Sequence, residues 1–195
     1  MTFNPLYNRQ FAVIDPLGAW SIWDIEHNNS RSTPYKLTPG KQGGIYDHNE
    51  HDMSSKPPAN GRSDGWHRIL WVLNVTTILV CNRNHLAVFD LRSGQERLDT
   101  TELKRAIGSD MILDIRRSAS DLRYVFLLTT TRVMWIEICL VDSQQIGGHG
   151  VILLLSYKHF RDGSDRTLRL ATVRDDYRRF NPSIIPKSDA YIPLV

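Results

Sequence analysis

The chain has 195 residues, of which 41% are hydrophobic and 23% charged, an ordinary globular balance that allows a sizeable core. A formal net charge of +3 permits a nucleic acid nearby but does not argue for one, because a nucleic-acid-binding domain concentrates basic residues on one face. Met1 to Asn8 lacks the segments of a signal peptide, and the longest apolar stretch, Ile69 to Cys81, is broken by Asn74 and Thr76-Thr77 and is too short to span a bilayer, so no membrane association and an intracellular location are expected.

The first element is a hairpin. Phe11-Ala12-Val13-Ile14 leads through the turn Asp15-Pro16-Leu17-Gly18 into Ala19-Trp20-Ser21-Ile22-Trp23-Asp24-Ile25. β-Branched and aromatic residues on both sides of a turn of this composition predict paired antiparallel strands, with Trp23 in the core. His27 to Asp64 follows. It is polar and carries Pro34, Pro39, Pro57 and Pro58 with Gly40, Gly43 and Gly44, which predicts a flexible insertion without regular structure over residues 28–62. Arg68 to Val72 predicts an inner strand. A second hairpin comes next: Ile78 to Cys81, the turn Asn82-Arg83-Asn84, and His85 to Leu91. Asp99-Thr100-Thr101-Glu102 predicts the start of one short helix, with Leu103 and Ile107 on one face and Gly108 at its end. Met111 to Ile115 predicts another inner strand, and Val125 to Ile138, around Thr129-Thr130-Thr131, a third hairpin. Val151 to Tyr157 and Thr167 to Val173 predict two further strands joined by the polar turn Arg161 to Asp165. Pro182, Pro186 and Pro193 predict an irregular tail over 175–195.

The three hairpins are one repeat. Each ends apolar-acidic-apolar, with Asp24, Asp90 and Glu137 in register. Their strands are apolar on both faces, so the sheets must be covered on both sides, and small sheets stacked around an axis make a propeller. Asp90 and Glu137 stand 47 residues apart, near the roughly 40–45 of a WD-type repeat. Asp24 and Asp90 are farther apart by about the length of the insertion. The fold class read from the chain is therefore all-β: an incomplete WD-repeat-like β-propeller over 1–174, with an insertion at 27–64 and one short helix. It counts about three blades and the opening strand of a fourth. Propellers close with typically 4–8 blades, so the ring is unfinished.

Chemistry-bearing groups are sparse. Tyr46 to Asp52 gathers His48 and His51 with carboxylates at a spacing that a helix would place on one face, but the surrounding Pro/Gly-rich segment offers no supporting shell. Ser156 and His159 lie near Asp162 and Asp165 without a Gly-x-Ser-x-Gly elbow. Gly43-Gly44 and Gly147-Gly148 lack the Lys-Ser or Lys-Thr of a phosphate loop. No catalytic residue, cofactor or metal is expected. Asp15 and His67 offer the Asp–His pair of a WD blade, but the other repeats do not reproduce the set. Arg116-Arg117 is expected at a blade rim. Arg174 to Phe180 mixes basic and aromatic residues, but its two aspartates dilute the charge. Cys81 and Cys139 sit in apolar runs as buried thiols, not a disulfide. The expected partner-contact loops are Asn82, Arg83, Asn84 and His85, and Arg161, Asp162, Asp165 and Arg166.

One family resemblance emerges from these segments taken together. Phe11 to Asp15 with Gly18 to Ile25, Gly65 to Val72 with Ile78 to Asp90, Asp114 to Ser118, and Leu153 to Asp162, in that order, resemble the largest subunit of the fungal RNA polymerase I core factor. The resemblance covers roughly residues 9–174. It implies a promoter-selectivity scaffold that works with other core-factor subunits, TATA-binding protein and RNA polymerase I at ribosomal RNA gene promoters. It also implies a nuclear, nucleolar location, and DNA contact mainly through the assembled complex. Members are much longer, so the chain is expected to be a fragment or truncated form. A generic propeller adaptor in an unrelated complex is the alternative, and no enzymatic activity is expected under either.

Overall fold

The computed structural model describes residues 1–28, 34–46, 64–92, 96–139 and 150–172. They form three four-stranded antiparallel meanders, the blades of an incomplete β-propeller. Blade 1 is β1 (Thr2–Asn4), β2 (Tyr7–Ile14), β3 (Ala19–His27) and β4 (Tyr35–Gly44). Blade 2 is β5 (His67–Trp71), β6 (Thr77–Asn82), β7 (Leu86–Asp90) and β8 (Glu96–Arg97). The helix α1 (Thr101–Ile107) precedes blade 3, which is β9 (Ile112–Arg117), β10 (Tyr124–Thr129), β11 (Arg132–Ile138) and β12 (Val151–Lys158). The expected hairpins are the β2–β3, β6–β7 and β10–β11 pairs. Their shared acidic residues occupy one station: Asp24 faces Gln10, Asp90 faces Thr77 and Glu137 faces Tyr124.

Period-two alternation explains how the blades stack. In blade 2, Ile69, Trp71, Ile78, Val80, Ala87 and Phe89 face blade 1, where they meet Ala12, Trp20, Ile22 and Ile45. The intervening residues, Leu70, Leu79, Cys81, Leu86 and Val88, face blade 3 and meet Ile115, Val125, Leu127, Met134 and Ile136. β6 and β7 are buried along their whole length, as a central blade requires. Each such aliphatic side chain contributes about 1.5–3 kcal/mol on leaving water. Leu103 and Ile107 tuck α1 into the second of these cores. Asp99 Oδ1 accepts from the Thr101 N–H at 2.8 Å and from its hydroxyl, and Gly108, at φ 60°, ends the helix by donating to the Lys104 carbonyl.

Several expectations are corrected. Residues 35–44, assigned to the structureless insertion, form β4, paired with β3 from Ala19↔Gly44 to His27↔Tyr35. β4 is the outer strand, where a missing N–H is tolerated, and Pro39 stands opposite Trp23 beside a register shift. Gly43 is required by packing: a Cβ there would lie 2.5 Å from Trp20 Cζ2. Of the two tryptophans of β3, Trp20 is the one in the core, at 2% exposure. Trp23 is instead half-buried on the outer face of blade 1, its indole N–H donating to Ser21 Oγ at 2.9 Å. β1 was not marked by the sequence pattern. No strand forms over 167–172. Turns at Asp162 and Asp165 start that segment, and the Leu170 N–H donates to Asp114 Oδ2 of β9 at 3.0 Å. Val173, residues 29–33 and 47–63 of the insertion, and the tail at 175–195 lie outside the described residues.

Candidate interaction surface

The meander order places the β2–β3, β6–β7 and β10–β11 turns on one rim with the segments leading into β5 and β9 and the segment leaving β12. Hydrogen bonds stitch this rim together: Ile112 N–H to the Arg83 carbonyl, Thr130 N–H to that of Met111, and His159 N–H to that of Thr131. Both expected contact loops therefore lie on the same rim.

Within the first loop, two of the four residues face inward. Asn82 is buried. Its Oδ1 accepts from the Asn84 and His85 N–H groups at 2.8 and 2.7 Å, and its amide donates to the Tyr46 hydroxyl at 2.8 Å. Arg83 is held on every side. Its Nε donates to Asp64 Oδ2 at 2.8 Å, its Nη1 to the Ile112 and Leu113 carbonyls at 3.0 and 3.2 Å, and its guanidinium lies 4.4 Å from the Trp66 ring centre. Arg83 thus clamps blade 2 to blade 3 with its side chain only 14% exposed. Asn84 and His85 are the exposed pair, the His85 ring edge-on to Tyr46 at 5.5 Å.

The second loop is more open. Arg161, Asp162 and Arg166 are exposed and Asp165 is half-buried. Asp162 and Asp165 accept hydrogen bonds from the backbone and hydroxyl groups of Ser164 and Thr167, which hold both carboxyls below the usual range. The two loops share Asp64, which was not anticipated. Burial pushes its carboxyl up, but the Arg83 hydrogen bond, the Trp66 N–H and the charges of Arg83 and Arg166 outweigh this and hold it low.

The remaining candidates serve the fold. His159 is buried. Its Nε2 donates to the Thr129 carbonyl at 3.1 Å and its Nδ1 accepts from the Arg161 N–H at 3.1 Å, which selects the Nε2–H tautomer. Both nitrogens are occupied by backbone, and Ser156 accepts from Arg132 instead, so no nucleophile–base pair forms between them. Asp15 Oδ1 accepts from the Leu17 and Ala19 N–H groups. His67 meets the Gly65 carbonyl through Nδ1 at 3.3 Å, while its buried Nε2 has no hydrogen-bond partner among the described residues. Asp15 and His67 therefore do not meet as a WD-type pair. Arg117 reaches back to the Trp71 carbonyl at 2.9 Å, a second bridge between blades 2 and 3, while Arg116 is exposed beside Asp114. Cys81 is a buried free thiol and Cys139 a half-buried one, without a bridge between them. Of the histidine-carboxylate segment only Tyr46 is described, and Arg174 to Phe180 lies outside the described residues. No group of three or more potential metal ligands occurs among the described residues.

Comparison with known proteins bears on this arrangement. The family described as "Rrn6, beta-propeller" matches residues 1–184. The RNA polymerase I-specific transcription initiation factor RRN6 of Saccharomyces cerevisiae is 31% identical over 174 residues, covering 88% of this chain and 17% of that protein. The chain thus spans about a sixth of that relative's length. The crystal structure of the S. cerevisiae core factor aligns with 77% of the chain, and with 20% of its own matched chain, at a TM-score of 0.48 and 21% identity. With its blades, its repeat and residues 1–184 accounted for, the chain belongs to the Rrn6 β-propeller family.

Proposed function

We propose that the chain is part of an RNA polymerase I-specific initiation factor and acts as a scaffold at ribosomal RNA gene promoters. The observation that carries this reading is family membership over residues 1–184, together with 31% identity to the yeast initiation factor. The partners are other core-factor subunits, TATA-binding protein and RNA polymerase I, in the nucleolus. The work is non-catalytic: His159 has both ring nitrogens engaged by backbone, and burial drives the Cys81 thiol pKa up to about 12. Protein contacts fall on the rim loops, at Asn84 and His85 and at Arg161, Asp162, Asp165 and Arg166, with Asn82 and Arg83 shaping the first loop. DNA affinity comes mainly from the assembled complex, because counterion release scales with the phosphates neutralised and the net charge is only +3. Chromatin immunoprecipitation of the tagged full-length protein tests this. Enrichment at ribosomal DNA promoters is expected, and its absence in cells with active polymerase I would leave the generic adaptor.

A further inference from the structure

A cleft of about 600 Å³ opens where α1, the β10–β11 turn and the segment leaving β12 meet. Arg105, Arg132, Lys158 and Arg161 line it, and Asp110 is its one carboxylate among the described residues. Arg105, Lys158 and Arg161 are exposed, and no described carboxylate forms an ion pair with them. Asp110 is turned inward: it accepts from the hydroxyls of Thr129 and Thr131 and braces the β10–β11 turn. The cleft is therefore cationic beyond what the fold consumes.

At its edge stands Phe160, 82% exposed and at φ 54°. A left-handed backbone is costly for a bulky residue and persists only where its surroundings enforce it. They do so here. His159 is pinned to the Thr129 and Thr131 carbonyls, the Arg161 N–H is pinned to His159, and Gly163 lies against the Thr130 carbonyl. The ring is thus presented to solvent from a fixed mount, edge-on to Tyr157 at 6.5 Å. Tyr157 and Leu155, 59% and 48% exposed, extend an apolar strip along β12.

We infer that this cleft binds an acidic, extended segment of a partner protein, whose carboxylates meet Arg105, Arg132, Lys158 and Arg161 and whose apolar side chain packs on Phe160. Arginine and aromatic residues are the groups on which protein interfaces concentrate their energy. A nucleic acid fits less well. It requires a basic groove that tracks its backbone, whereas these cations converge on one cleft, beside an apolar strip.

The test replaces Phe160 with the photocrosslinker p-benzoylphenylalanine in the full-length protein within its native complex. The expected result is an adduct that mass spectrometry maps to a protein segment rich in Asp and Glu. Its yield should fall at least about tenfold in Lys158→Glu/Arg161→Glu and partly in Lys158→Gln/Arg161→Gln. It should not change in Lys36→Glu, a control on exposed β4. An adduct with nucleic acid, an adduct on a segment without acidic residues, a yield indifferent to the charge reversals, or no adduct would each overturn the inference. Promoter enrichment without such an adduct would remove the cleft alone, so the two readings fail separately.

Discussion

Arg83 shows how a residue of the partner-contact type becomes structural. Four interactions converge on it from two blades, and the fork of the guanidinium is what lets one side chain make them. Arg83→Ala removes the donor to two carbonyls and to Asp64 Oδ2, while Oδ1 keeps the Trp66 N–H, at a cost of about 2 kcal/mol. Amide exchange in the full-length protein checks this: the Ile112 and Leu113 region should exchange roughly 30-fold faster, and Arg83→Lys should recover only part, because an ammonium is a point charge. Asp64 adds a pH dependence. Its folded pKa lies below the unfolded value, so the unfolded state binds the proton more readily. The contribution is present at neutral pH and is lost as pH falls through and below the ordinary carboxylate range. Protection of β9 should be flat above about pH 5 and decline below it, and Asp64→Asn should flatten that decline. Cysteine reactivity follows the same logic. Burial raises the Cys81 pKa to about 12, while burial and then the Glu137 charge raise Cys139 less. Iodoacetamide at mildly alkaline pH should label Cys139 first and leave Cys81 unmodified until the protein unfolds.

At the scale of elements, β4 is the informative strand. Its sequence, Tyr35-Lys36-Leu37-Thr38-Pro39-Gly40-Lys41-Gln42-Gly43-Gly44, has the composition of a loop and the pairing of a strand. Two features reconcile these: only one edge of an outer strand needs partners, and its glycines let tertiary neighbours approach. Gly40 lies under the Ile22 carbonyl and Gly43 under the Trp20 indole. Lys41 also ties the strand to the Leu91 carbonyl of blade 2. Amides of residues 35–44 that pair with β3 should therefore be protected in hydrogen exchange. Gly43→Ala should erase that protection locally and destabilise by about 1–3 kcal/mol through overpacking against Trp20. Equal protection in mutant and wild type would show that the indole has room to move. The hairpins, by contrast, were legible because composition and turn chemistry agreed. No strand forms over 167–172 for the converse reason: apolar residues alone do not make a strand, and turns at Asp162 and Asp165 and the Leu170–Asp114 hydrogen bond hold this segment instead.

The three described blades form an arc with two outer faces. On blade 1, Phe3, Phe11, Trp23 and Pro39 fall in one row across the sheet, with Phe3 52% exposed. On blade 3 the matching row is Arg116, Phe126, Trp135 and Leu155, with Phe126 stacked on Trp135 at 5.9 Å. No blade among the described residues covers either face. At about 25 cal/mol per Å² of apolar surface left wet, one such face is worth several kcal/mol, comparable with the stability of a whole domain. The polypeptide of residues 1–195 alone should therefore associate or aggregate when purified. Light scattering and thermal unfolding check this, and a cooperative two-state melt of a monomer at high temperature would refute it. Replacing the exposed Phe3, Leu37, Leu155 and Tyr157 with serine should raise the monomer fraction.

Local order was written along the chain: three hairpins with their acidic register, two inner strands, the helix with its Leu103–Ile107 face, and from their repetition a propeller. These depend on neighbours in sequence, on periodicity and on turn residues, all of which act over a few positions. The tertiary structure alone decided which of two tryptophans entered the core, because Trp20 and Trp23 sit on opposite faces of β3 and only one face meets blade 2. It turned Asn82 and Arg83 from loop contacts into clamps. It also gathered Arg105, Arg132, Lys158 and Arg161 around one cleft, from a helix, two strand ends and a loop. No periodicity links those four positions, because what unites them is long-range packing of α1 and the segment leaving β12 against blade 3, and that packing exists only once the blades have stacked.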